Sequence, residues 1–352
     1  IPMMGLHHSG YHGINKIQLY PKLQEMGLEG VIFGDVTQDM FSGFSGINDN
    51  MKLMPYQIHD PINYIFHYTS AVYTIWQAHD TTFSPLKAAL QYDTTLGERI
   101  SGNTIRTKPL AEAGNLITGP GYNQSIRYRD DGTWNSPLID YAASFHLKIE
   151  QNEQYPDPPQ STEGLTDTLC VLKVVVKEIG YNNGFYFKDS LVWRELPVLV
   201  NQLEFGEWEK FDFDYDYSDL PINFKNVRDS TKIKSDEYIR YSDTSYADFV
   251  EYCIEWKGVD YARLYFDTLL VSDERGRNLF NPDNPTVRNL IRDQANNTGN
   301  GQGFNVSTAF FENTVVGFYG QDEPGSIDNL EPVRKVGELM REATNGQRPL
   351  FI

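Results

Sequence analysis

The chain has 352 residues, 40% of them apolar and 13% aromatic, enough to bury a large core in two domains or one elaborated one. Its 30 basic and 48 acidic residues leave a formal net charge of −18, which repels phosphate backbones and anionic membrane surfaces and argues against a nucleic-acid partner. No apolar run reaches the ~18 residues that cross a bilayer, so no membrane span is expected.

The chain opens Ile1-Pro2 rather than with methionine, and the expectation is a processed or partial chain. Residues 1–35 read as strand, helix, strand. Residues 2–6 are short and apolar, and Ile14, Ile17, Leu23 and Met26 share a helical face. Gly27 fits the helix C-cap, and Val31-Ile32-Phe33 forms a second strand that ends at Gly34-Asp35. From about Tyr64 to Leu279 the pattern changes to short strands separated by turn residues: 71–78, 116–117, 141–149, 169–179, 211–217, 249–256 and 261–271. That tally suits a β-sandwich of the jelly-roll kind. The polar, proline-bearing residues 151–164 read as a surface loop within it, because strand patterns flank them on both sides.

After Asn281-Pro282-Asp283-Asn284-Pro285, Val287, Leu290 and Ile291 begin a helix. Val315-Val316-Gly317-Phe318-Tyr319-Gly320-Gln321-Asp322-Glu323-Pro324 then reads as a buried parallel strand that delivers two carboxylates to a sheet's carboxyl-terminal rim. A helix over 330–343 follows, Gly346 stops it, and Arg348-Pro349-Leu350-Phe351-Ile352 opens another strand. The expected fold is therefore α/β plus all-β: a partial (β/α) barrel, residues 1–54 and 282–352, interrupted by a jelly-roll β-sandwich, residues 55–281. Four parallel-type strands cannot close an eight-stranded barrel, so either more barrel is expected beyond residue 352 or the fold is an open or partial sheet.

The stretch from Gly317 to Pro324, a helix, and then Arg348 to Ile352 resembles the strand-helix-strand of secreted, cellulase-like (β/α)8 glycoside hydrolases. In that family an Asn-Glu-Pro tip supplies the catalytic acid/base. The inserted region resembles carbohydrate-binding jelly rolls at Tyr141-Ala142-Ala143-Ser144-Phe145-His146-Leu147-Lys148 and at the two strands 250–258 and 264–267. The resemblance implies an extracellular or cell-surface protein that hydrolyses or binds a carbohydrate polymer. Glu323 would be the acid/base and Asp322 would stand where the family has Asn. The second catalytic Glu would lie on a later strand, beyond residue 352. The alternative is a non-catalytic surface, adhesion or filament protein that uses a degenerate barrel and the sandwich, self-assembly included.

Adjacent Asp322 and Glu323 on a strand point to opposite sides, so they do not by themselves make the 5–5.5 Å carboxylate pair of a retaining glycosidase. His7, His8 and His12 follow the first strand and Asp35 the second, so in a barrel they would share a rim with Glu323 and Tyr319 and hold a sugar or a metal. Their spacing matches no specific metal motif, and exposed or structural histidines are the simpler reading. Residues 211–217 alternate aromatic and Asp, which places aromatics in the core and acids in water; Ca²⁺ held by those carboxylates is the sharper alternative. Of the five tryptophans, Trp76 and Trp256 sit in strand runs and read as core. Trp134, in a polar loop, reads either as the candidate sugar-stacking ring or as simple loop packing. Cys170 and Cys253 leave a choice between buried free thiols and one bridge.

Overall fold

The computed structural model describes residues 4–7, 25, 30–33, 52–55, 63–79, 90–119, 140–181, 185–216, 246–298, 304, 306–320 and 330–351. In chain order these carry β1 (Met4–His7), β2 (Gly30–Phe33), β3 (Lys52–Pro55), α1 (Tyr64–Thr69) and β4 (Tyr73–Gln77). Then come β5 (Gln91–Tyr92), β6 (Gly97–Ser101), β7 (Thr104–Thr107), β8 (Gly114–Gly119), β9 (Asp140–Gln151), β10 (Thr168–Tyr181), β11 (Phe185–Leu199) and β12 (Trp208–Asp216). The last are β13 (Tyr246–Trp256), β14 (Ala262–Asp273), α2 (Glu274–Phe280), α3 (Pro285–Ala295), α4 (Thr308–Thr314), β15 (Phe318–Tyr319), α5 (Leu330–Thr344) and β16 (Leu350–Phe351). They divide into two compact units, residues 1–74 with 274–352, and residues 75–273. The expected sandwich limits of 55 and 281 take in α1 and α2, which belong by contact to the first unit.

Every strand pairing described in the first unit is parallel. β1 pairs with β2 and β2 with β3, and Leu53 of β3 bridges Val315, the C-cap of α4. β15 then pairs with β16 in parallel. The strands therefore follow one another in sequence order, and parallel neighbours of this kind need crossover connections rather than tight hairpins. Their helices have legible causes. Asn284 caps α3 through its side chain with Pro285 in the first turn, and Ser307 accepts from Phe310 N–H to start α4. α5 ends where Gly346, at φ +76°, turns the chain so that its N–H reaches Arg341 O at 3.0 Å.

α1 has only six residues, too few for a helical period to show in sequence. It is held from outside itself: buried Gln294 of α3 accepts the orphan N–H of Ile65 at 3.1 Å. Phe304, Phe311 and Phe318 form the centre of this unit's core, with ring centroids 6.1–6.4 Å apart, ringed by Leu53, Ile65, Ile291, Val336 and Met340. Gly317 is a close approach. A Cβ there would lie 2.8 Å from Pro349 O and 2.7 Å from the Phe351 ring, so a side chain would push β15 off β16.

The second unit is a sandwich of two antiparallel sheets. One has the order β11-β10-β13-β8-β5 and the other β12-β9-β14-β7-β6, with β4 also paired to β14. Alternation decides which side chains face inward. In β9 they are Ala143, Phe145, Leu147 and Ile149; in β14, Leu264, Phe266, Leu269 and Val271, all without exposure. The other sheet contributes Cys170, Leu172, Val174, Ile254 and Trp256. The cysteines are free. Cys170 pairs with Trp256 and Cys253 with Lys173, an odd offset that sends the two thiols to opposite faces of the sheet. Tyr141, Trp193, Tyr215 and Tyr252 close one end of the core, and the Tyr215 and Tyr252 hydroxyls hydrogen-bond each other.

Candidate functional site

Most of the residues singled out from sequence, namely His8, His12, Asp35, Trp134, Asp322 and Glu323, lie outside the described residues. Two rim positions are described. His7 is the last residue of β1 and pairs with Phe33, the last of β2. Tyr319 ends β15, half-buried, opposite Phe351. Among the described residues no three or more His, Cys, Asp or Glu gather as a metal group, and no helix is long and apolar enough to cross a membrane. In β12, Tyr215 faces the core while Asp212 and Asp214 are exposed, and Asp212 accepts from Lys210 Nζ at 2.9 Å.

The described chemistry concentrates on the outer face of the β12-β9-β14-β7-β6 sheet. Directly paired residues of neighbouring antiparallel strands project to the same side. The register pairs Trp208 with Lys148, Lys148 with Tyr265, Tyr265 with Arg106, and Arg106 with Glu98. These five residues make an unbroken row across five strands. Trp208 is 42% exposed, whereas Trp256 and Trp193 are buried in the core.

Each member of the row is fixed by its neighbours. The Lys148 ammonium lies 4.5 Å from the Tyr265 ring centroid and 5.5 Å from that of Trp208, and it donates to Glu150 Oε1 at 2.6 Å. The Tyr265 hydroxyl donates to the other Glu150 oxygen and accepts from Arg106 at 3.4 Å. Arg106 sits 5.8 Å over the same ring and donates twice to Glu98 Oε1, at 2.7 and 3.1 Å. Behind it, Arg263 is 1% exposed and fully engaged. Its guanidinium donates to Thr107 O at 2.6 and 2.9 Å, to Glu98 at 2.8 Å and to Glu153 of the 152–167 loop at 2.6 Å.

The charges cancel locally: Lys148, Arg106 and Arg263 against Glu150, Glu98 and Glu153. The Arg106 hydrogen bond, joined by that from Arg263, holds the Glu98 carboxyl below the usual range. For Glu150 burial works the other way, but hydrogen bonds from Lys148 and Tyr265 outweigh it and the carboxyl is again held low. Burial and the bond to Glu150 push the Tyr265 phenol up. The sign of the pH effect follows. With both carboxyls depressed below 4.5, the unfolded chain binds more protons than the folded one in mild acid. Their stabilisation is present above pH 4.5 and is lost as pH falls through the lower, folded values. Denaturation midpoints recorded from pH 7 to 2.5 should stay level to about pH 4.5 and then decline; Glu98→Gln should flatten that decline.

Trp208 was within reach of sequence reasoning. The alternation recognised from Phe211 onward, carried back three residues, puts Trp208 and Lys210 in phase with Asp212 and Asp214 on the outer face. Lys148, Tyr265, Arg106 and Glu98 carry no such signal, because only the pairing register aligns them.

No family model matches the chain, and no curated protein matches it. Among solved structures it is similar to the CBM22-1 xylan-binding domain of Paenibacillus barcinonensis Xyn10C, at 12% identity over 57% of this chain and 85% of that one, with a TM-score of 0.23. The xylan-binding module CBM15 matches at 9% identity over 58% and 91% of the two chains, TM-score 0.21. The CBM22-1–GH10 modules of Clostridium thermocellum xylanase 10B match at 11% over 73% and 36%, TM-score 0.22. At such TM-scores only the chain's own residues speak for its function.

Proposed function

We propose that the sandwich is a carbohydrate-binding module and that the outer face of its β12-β9-β14-β7-β6 sheet meets the glycan. The row from Trp208 to Glu98 carries this reading. An exposed indole matches the C–H face of a pyranose, and the flanking ammonium, guanidinium and carboxylate groups are hydrogen-bond partners of the kind a hydroxyl-rich ligand needs. Because those groups already hold one another in place, little side-chain entropy remains to be lost on binding.

The first unit is proposed as part of a glycosidase-type (β/α) barrel, extracellular or at the cell surface. Its parallel strands in sequence order support this, together with the acidic tip at Asp322 and Glu323, where Glu323 would serve as acid/base. In affinity electrophoresis of the full chain through gels containing soluble polysaccharides, Trp208→Ala should weaken retardation roughly tenfold, the scale of one lost aromatic contact. The denaturation midpoint should stay near that of the parent, since the indole lies on the surface, outside the core. Undiminished retardation in a folded Trp208→Ala protein would overturn the assignment.

A further inference from the structure

The row has a direction, a length and a charge, and each restricts the ligand. It runs across the strands, over the four interstrand steps from β12 through β9, β14 and β7 to β6. At about 4.8 Å per step it spans roughly 19 Å, the length of about four sugar units in an extended chain. Along β9 the surface closes beyond the row: past His146, the next outward positions are Ser144 and Ala142, both small and both buried, while on β12 the face continues with the paired Lys210 and Asp212. The charge is balanced within the face. Lys148 is held by Glu150, Arg106 by Glu98, and Arg263 by Glu98 and Glu153, so each of these three cations already has a carboxylate partner and offers a ligand carboxylate or sulfate no surplus charge. A net charge of −18 adds a field that repels polyanions at a distance.

We infer that this face takes about four units of an uncharged glycan, lying across the strands with the Trp208 ring under one end and Glu98 at the other. The inference rests on the carbohydrate-binding reading above. It adds the ligand's class, its orientation and the number of units engaged.

Calorimetric titration of the full chain with cello- and xylo-oligosaccharides of two to six units, and with oligogalacturonates of the same lengths, tests it. In whichever neutral series binds, affinity should climb at least tenfold from two to four units and change less than threefold from four to six. Oligogalacturonates should bind at least tenfold more weakly than the neutral chain of equal length. Glu98→Gln, checked for an unchanged fold, should weaken the four-unit ligand and leave the two-unit ligand as it was. Affinity independent of length, tighter binding of oligogalacturonate, or an equal effect of Glu98→Gln at both lengths would overturn the inference while leaving glycan binding intact. Binding of none of these oligosaccharides, nor of any polysaccharide, would overturn the reading beneath it as well.

Discussion

Phe311→Ala should destabilise the first unit by about 3–5 kcal/mol, the cost of emptying a ring-sized space that its surroundings cannot fill. Phe311 has no exposed surface, and it shares ring contacts with Phe304 and Phe318 while the Arg348 guanidinium lies 5.0 Å over its face. Arg348 is itself buried, and burial lowers its pKa, so the truncation takes the aromatic face away from a cation already poorly solvated. Phe311→Leu, which retains most of the volume, should cost less than about 1.5 kcal/mol if the rings repack. Urea unfolding followed by far-ultraviolet dichroism measures both. A loss under 1 kcal/mol for the alanine variant would mean that this core is not packed around Phe311.

Arg263→Met should be the most damaging single change on the sandwich face. The methionine can fill the space of the arginine stem, but Thr107 O loses two donors, and Glu98 and Glu153 lose the cation between them. The two carboxylates keep contact with water, so the loss should be about 2–4 kcal/mol rather than the larger figure for a fully enclosed pair. Arg263→Lys should recover only part of it, since one ammonium cannot replace a planar fork that serves three acceptors. Glycan affinity should fall in parallel, because Glu98, and through it Arg106, is held by Arg263. If Arg263→Met kept full affinity at the parent's stability, the network behind the row would be dispensable.

What could be read from sequence follows from the range over which each signal acts. Strands β9, β10, β12, β13 and β14 are long enough for alternation to show, and the helices of α3 and α5 are marked by Asn284, Pro285 and Gly346. α1, α2 and α4 run to six or seven residues and depend on tertiary partners such as Gln294, which no local pattern reveals. The site was harder still. Trp208 and Tyr265 become neighbours of Lys148 only because β9 pairs with β12 on one side and β14 on the other. The irregularity between Phe266 and Leu269 shifts the β14 register from one half of the strand to the other. The carboxylates that sequence favoured, Asp322 and Glu323, rest on a resemblance alone and lie outside the described residues, whereas the row on the sandwich emerges from pairing geometry that no local pattern contains.

The parallel bridge between Leu53 and Val315 has a consequence for the order of folding. Some 260 residues separate the two along the chain, and most of them are the sandwich, residues 75–273. β4 and β14, the sandwich's first and last strands, pair with each other, so once that unit has formed its ends are drawn together. The effective loop that Leu53 must close then shrinks to about 60 residues, which lowers the closure entropy by about 1 kcal/mol. The antiparallel sheets should therefore acquire protection first in pulsed hydrogen exchange. The Val316 amide, which donates to Leu53 O at 3.1 Å, should lag behind them. A nascent chain would in this way hold its first three strands without their lateral neighbour until the insertion had collapsed, and the insertion's own stability would set how long that edge stays open.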